Sequence, residues 1–171
     1  YIYNNKVIKF FSDSKITLNR VSKASINSKV FPKITYHKHQ FYSYNFVYGE
    51  TLYKNNNEKI FTSLLQWLQD NLWMDVNISQ EKMKEACHKF YKVKTLERLA
   101  LFNKKYPDIE KQKFINEIFV PDVDDLIKMI NWERLCNGKA VFFHGDLNFD
   151  NIIYNYKSNE FCLIDWRQDF A

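Results

Sequence analysis

A chain of 171 residues, 46% hydrophobic and 26% charged, can bury one good core or two small lobes and is too apolar to remain disordered. Its net charge of +5 suits an anionic partner. The excess Lys and Arg are spread along the chain rather than gathered into a stripe, so phosphate is a better match than nucleic acid. No apolar run reaches the length of a membrane span and no basic, apolar leader is visible, so a cytoplasmic protein is expected. Cys87, Cys136 and Cys162 are odd in number and lack metal-ligand spacing, which reads as reduced core thiols. Tyr1 in place of Met, and an end soon after Asp165, suggest a chain cut at both ends.

Tyr1-Ile2-Tyr3 and Lys6 to Phe11 are expected as two short strands turned by Asn4-Asn5, because Asn tolerates the left-handed conformation of tight turns. Ser14 to Ile26 places Ile16, Leu18, Val21, Ala24 and Ile26 in a helical pattern behind a Ser or Asp that can cap it. Phe31 to Tyr36 and Phe41 to Tyr48 flank the polar tetrad His37-Lys38-His39-Gln40 as a second hairpin on the same small sheet. The two histidines lack a third ligand, so a solvated turn is expected there rather than a metal. Gly49 breaks the strand pattern, and a linker or hinge is expected at 49–52.

From Asn57 to about Met74 the pattern is helical, with Ile60, Phe61, Leu64, Leu65, Trp67, Leu68, Leu72 and Trp73 on one broad core stripe. Ser79 caps a second helix that carries Met83, Cys87, Phe90, Leu96 and Leu99 and ends before Pro107. His88 diverges from Cys87 on such a helix and reads as structural. Asp108 to Phe119 is expected as a further short helix. Pro121-Asp122 opens the last one, with Val123, Leu126, Ile127 and Ile130 buried and Asn137-Gly138 as its C-cap. Asp122, Asp124 and Asp125 suit the macrodipole of its first turn. Ala140 to Phe143 reads as an apolar strand, and Ile152 to Tyr154 with Phe161 to Ile164 as a hairpin.

Chemistry concentrates around that hairpin. His144-Gly145-Asp146 and Asn151 share one loop, and the second strand of the hairpin returns Asp165 beside Asn151. Mg²⁺ takes oxygen ligands and keeps some water, so an amide carbonyl at Asn151 and a carboxylate at Asp165, with nucleotide phosphates, form a suitable shell. Asp146 is left to accept a proton, and Asp150 reads as solvated or capping. A dinuclear hydrolase centre would need more His and Asp residues at loop starts.

The pattern H-x-D-x-x-x-x-N followed by a strand-borne Asp resembles the catalytic loop and metal-binding Asp of the protein-kinase-like superfamily. In the form HGDLNFDNII with a later IDW, it is similar to the aminoglycoside phosphotransferase and choline kinase family. The resemblance implies an α+β, two-lobe kinase-like fold, here truncated: a partial N-terminal lobe at 1–48, a hinge at 49–52, and a partial C-terminal lobe at 53–171. It implies that Asp146 is the catalytic base, that His144 braces the loop, and that Asn151 and Asp165 hold Mg²⁺. Val7-Ile8-Lys9 resembles the strand whose Lys contacts the α and β phosphates, and Phe46 to Leu52 would border the adenine. The implied activity is Mg²⁺-dependent transfer of the γ-phosphate of ATP or GTP to the hydroxyl of a small molecule, an amino alcohol such as choline or ethanolamine, or a sugar. The alternative is a catalytically inactive nucleotide-binding or scaffolding relative. Nucleotide and acceptor are the implied partners.

Three positions depart from that pattern. No Glu lies between Lys9 and Glu50, and Asn19 or Arg20 stands where a helix acid should pair with Lys9. No glycine-rich loop precedes Lys9. Asn148 stands where protein kinases place a Lys near the γ-phosphate, which argues against a protein substrate. Trp166 reads equally as a packing residue or an acceptor contact, and Arg167 as a surface residue or a phosphate contact.

Overall fold

Asn4 and Asn5 both adopt the left-handed conformation, with φ of 47° and 57°, and the turn they make folds β1 (Ile2–Tyr3) back on β2 (Lys6–Phe10). The computed structural model describes residues 1–54, 56–107 and 114–167 and has the expected α+β composition of small antiparallel sheets and several helices. By its contacts the chain divides into two units, Tyr1–Val76 with Val141–Ala171, and Asn77–Ala140. No helix among the described residues is long and apolar enough to cross a membrane.

In the first unit, α1 (Ser14–Ile26) begins where Asp13 accepts a hydrogen bond from the Lys15 N–H at 2.8 Å. The strands β3 (Ile34–Lys38) and β4 (Phe41–Asn45) complete a four-stranded sheet in the order β1-β2-β4-β3. His39 takes the left-handed turn position (φ 50°). His37 lies one step inside β3, opposite Tyr42, and both histidines are exposed.

Gly49 has φ +145°, and a Cβ there would stand 2.6 Å from the Tyr154 carbonyl oxygen. That close approach needs glycine, and it brings β5 (Glu50–Thr51) alongside β8 (Ile152–Asn155). With β9 (Glu160–Leu163), these form a second sheet in the order β5-β8-β9. Within the 49–52 stretch, expected as a linker or hinge, Glu50–Thr51 pairs with the strand that follows the His144 loop.

Helix α2 (Glu58–Asn71) is capped by Asn57, whose side chain accepts from the Ile60 N–H at 3.0 Å. Ile60, Leu64 and Leu68, one helical turn apart, are buried along with Leu72, whereas Phe61, Leu65 and Trp73 are exposed; the core stripe is narrower than the sequence pattern. These leucines join Val30, Phe31, Tyr42, Tyr44, Leu163 and Trp166 in one core that ties both sheets to α1 and α2. Ala140 to Phe143 forms no strand. Val141 makes a single bridge to Asp75, and the Phe142 N–H donates to Met74 at 2.8 Å.

The second unit carries α3 (Gln80–Cys87), capped by Ser79, and α4 (Lys94–Lys105), joined by one π-helical stretch at His88–Val93. Cys87 is buried and His88 exposed, as their divergence on a helix requires. The short helix expected over Asp108 to Phe119 is not found. Residues 108–113 lie outside the described residues, and 114–119 is a hairpin of β6 (Phe114–Ile115) and β7 (Ile118–Phe119). Asn116 and Glu117 turn it, with φ of 49° and 66°. The last helix is broken in two, α5 (Val123–Met129) and α6 (Trp132–Leu135), because Ile130 adopts extended backbone. Val123 and Leu126, expected in the core, are exposed. All three cysteines are free thiols, and burial pushes the Cys162 thiol up to about 12, which keeps it unreactive.

Candidate functional site

The site is built where the backbone enters and leaves β8 and β9. Ahead of β8, the Asn148 side chain accepts from the Asp150 and Asn151 N–H groups at 3.0 and 3.2 Å, and so caps a single 3₁₀ turn at Phe149–Asn151. Asn151 in turn donates its Nδ2 to the Asp146 carbonyl at 2.8 Å, which leaves Oδ1 as the open acceptor of that amide. Beyond β9, the Ile164 N–H donates to the Asn151 carbonyl at 2.9 Å. Asp165 therefore emerges beside Asn151, and it does so with φ +58°. A non-glycine residue held in that region is a local strain of the kind that gathers at ligand sites.

His144 is fully buried. Its Nδ1 accepts from the Asp146 N–H at 3.2 Å and its Nε2 lies 2.8 Å from the Ile164 carbonyl, so the proton resides on Nε2. Burial above all, with Lys23 nearby, lowers its pKa to about 4; the Ile164 hydrogen bond and Asp146 act in the opposite direction. The ring is neutral near pH 7 and bolts the Asp146 turn to the end of β9.

Lys9, on β2 opposite Tyr42, forms an ion pair with Asp165. Asp146 faces the same space and accepts from Arg167 Nε at 3.0 Å. Lys9, Asp146, Asn151, Asp165 and Arg167, with Arg20 from α1, line one cleft of about 460 Å³. Each site residue expected from the sequence faces it except His144, which lies behind it. Among the described residues no group of three or more His, Cys, Asp or Glu could hold a metal alone. A cation here would draw on the Asn151 amide, the Asp165 carboxylate and the oxygens of a ligand, a donor set that fits Mg²⁺.

Residues 51–169 match the model of the ecdysteroid kinase-like family. The chain belongs to that family. Ecdysteroid kinase-like proteins are members of the protein-kinase-like superfamily, the grouping that the loop motif resembles, and the match supports a small-molecule kinase in general. It does not extend to the narrower aminoglycoside phosphotransferase and choline kinase branch. No curated protein and no solved structure matches the chain.

Three features of this ecdysteroid kinase-like site escape the linear pattern. The acid that pairs with Lys9 is Asp165 itself, while α1 supplies Arg20, whose guanidinium lies 4.3 Å from the centroid of the Phe11 ring. Trp166 is a packing residue: it is fully buried, and its Nε1 donates to the Arg20 carbonyl at 2.9 Å. Arg167 stays half exposed but is held against Asp146. The sequence feature compatible with another segment approaching the loop there is Gly145, beside the motif aspartate.

Proposed function

We propose that this chain transfers the γ-phosphoryl group of Mg²⁺-bound ATP or GTP to the hydroxyl of a small molecule. The observation that carries the reading is the convergence of Lys9, Asp146, Asn151 and Asp165 on one cleft from distant parts of the chain. Phosphoryl transfer has a loose transition state and gains most from positioning and from positive charge on the phosphate oxygens. Bound Mg²⁺ supplies part of that charge. Asn151 and Asp165 hold it, and Lys9 shares its ammonium group between Asp165 and the α and β phosphates. With Oδ2 engaged by Arg167, Asp146 turns Oδ1 to the acceptor hydroxyl, aims its oxygen and takes its proton. His144 braces the loop without titrating. In this reading residues 1–48 act as a partial N-terminal lobe, 49–52 as the adenine-side hinge, and 53–171 as a partial C-terminal lobe.

The acceptor panel should contain amino alcohols such as choline and ethanolamine, sugars, and the polyhydroxylated steroids that the family name carries. Phe10 and Phe11 line the cleft and offer an apolar wall to such a molecule. The test is Mg·nucleotide-dependent phosphorylation across that panel. Asp146→Ala is expected to abolish transfer while the protein stays folded, and full activity in Asp165→Asn would overturn the proposal. Nucleotide binding without turnover on any acceptor would instead make the chain a nucleotide-binding relative.

A further inference from the structure

A loose phosphoryl-transfer state spreads charge over three equatorial oxygens and calls for cationic donors around them. The loop itself has none, since no Lys or Arg stands between His144 and Asn155, and Asn148 spends its side-chain oxygen on the 3₁₀ turn. The segment after β9 supplies one. Buried Trp166 anchors that segment, and its two neighbours serve the cleft: Asp165 meets Lys9 and Arg167 meets Asp146. The Arg167 N–H donates to the His144 carbonyl at 3.0 Å. A Cβ on Gly145, which has φ +89°, would stand 2.8 Å from the Arg167 Cβ. Glycine between His144 and Asp146 is thus what lets Arg167 close onto the loop.

The contact itself leaves capacity to spare. A guanidinium presents five N–H donors in one rigid plane. Nε takes Asp146 Oδ2 at 3.0 Å, and among the described residues the two terminal amino groups make no hydrogen bond. The side chain is 50% exposed and lines the same cleft as Lys9, Asn151 and Asp165.

We propose that Arg167 contacts the transferring phosphoryl group: Nε holds the Asp146 carboxylate while the terminal amino groups donate to the γ-phosphate oxygens. The inference rests on the phosphotransferase reading above. Arg167 gives up no proton. The γ-phosphorus breaks its bond to the oxygen bridging the β-phosphate and forms one to the acceptor oxygen, whose proton passes to Asp146. One planar group spanning base and phosphoryl would set the distance between them.

The test is calorimetric binding of MgATP and of MgADP, which differ by the γ-phosphoryl group. The wild-type protein is compared with Arg167→Ala, Arg167→Lys and Lys9→Met. Arg167→Ala should weaken MgATP about tenfold or more and change MgADP less than about twofold, the loss expected for charge-assisted hydrogen bonds made to the γ-phosphate alone. Arg167→Lys should recover part of the difference, and Lys9→Met should weaken both nucleotides. Equal effects of Arg167→Ala on the two nucleotides, or none on either, would overturn the inference and leave the phosphotransferase reading standing. A wild-type protein that binds neither nucleotide would remove both. Should Arg167→Ala fail to fold, Arg167→Gln, which removes the charge but keeps most of the side chain, carries the same comparison.

Discussion

Acid should destabilise this protein through His144 in particular. Its folded pKa lies near 4, against an ordinary value of 6.5, because the ring is buried with Lys23 nearby. Between those values the unfolded chain binds a proton that the folded chain refuses, so stability rises with pH across that window. The contribution is complete above about pH 6.5 and is lost as pH falls toward 4. The displacement corresponds to about 3 kcal/mol in all, of which about 2 kcal/mol is gone by pH 5. Urea unfolding at pH 7 and pH 5, at matched ionic strength, should therefore show a loss in the wild-type protein that is about 2 kcal/mol larger than in His144→Gln, which has no imidazole to protonate. The other histidines, His37, His39 and His88, are exposed and cancel in that comparison. Independently, NMR titration should find one imidazole out of four titrating near pH 4. Equal pH sensitivity of the two proteins, or four imidazoles titrating together between pH 6 and 7, would refute the reasoning.

Gly49→Ala places a Cβ 2.6 Å from the Tyr154 carbonyl at φ +145° and should lower the urea-unfolding free energy by about 1–3 kcal/mol; an unchanged midpoint would mean that β5 does not approach β8 this closely. Trp166→Phe keeps the aromatic packing on Phe31 and Tyr42 but leaves the Arg20 carbonyl without its 2.9 Å donor. It should cost about 1–3 kcal/mol of stability and weaken MgATP binding by loosening Asp165, and normal MgATP affinity would separate the anchor from the site.

Much of the fold was legible where a local signal and a tertiary demand agreed. Helix α1 has the bounds its pattern implies, since Asp13 caps it, but the face it buries is Thr17, Arg20, Lys23 and Ala24, while Leu18 and Ile26 of the apolar pattern are exposed. Asn4-Asn5 specifies its hairpin through backbone chemistry alone. The 114–119 segment was not legible, because Phe114, Ile115, Ile118 and Phe119 suit an amphipathic helix as well as a two-residue turn with paired aromatics. The outcome depends on Glu117 accepting a positive φ that its residue type does not advertise. Val123 and Leu126 have core spacing without a core to face, which no pattern within one helix can reveal.

The site divides along the same line. His144, Asp146 and Asn151 are close in sequence, and the hairpin that returns Asp165 is local too, so the loop and its hairpin could be read directly, although the strand expected ahead of the loop is reduced to a single bridge at Val141. The partner of Lys9 could not. A search for an acid on α1 assumes that the cation is paired from its own end of the chain, whereas its acid stands 156 residues away at the end of β9. Arg167 was ambiguous for a related reason, since a half-exposed arginine beside a buried tryptophan can reach a cleft carboxylate or extend into solvent. The residue that decides between these is Gly145. At φ +89°, with Arg167 where its Cβ would be, that glycine is required by what lies over it. A glycine beside a motif aspartate therefore points to a second segment closing on the loop, and here that segment brings the guanidinium that holds Asp146.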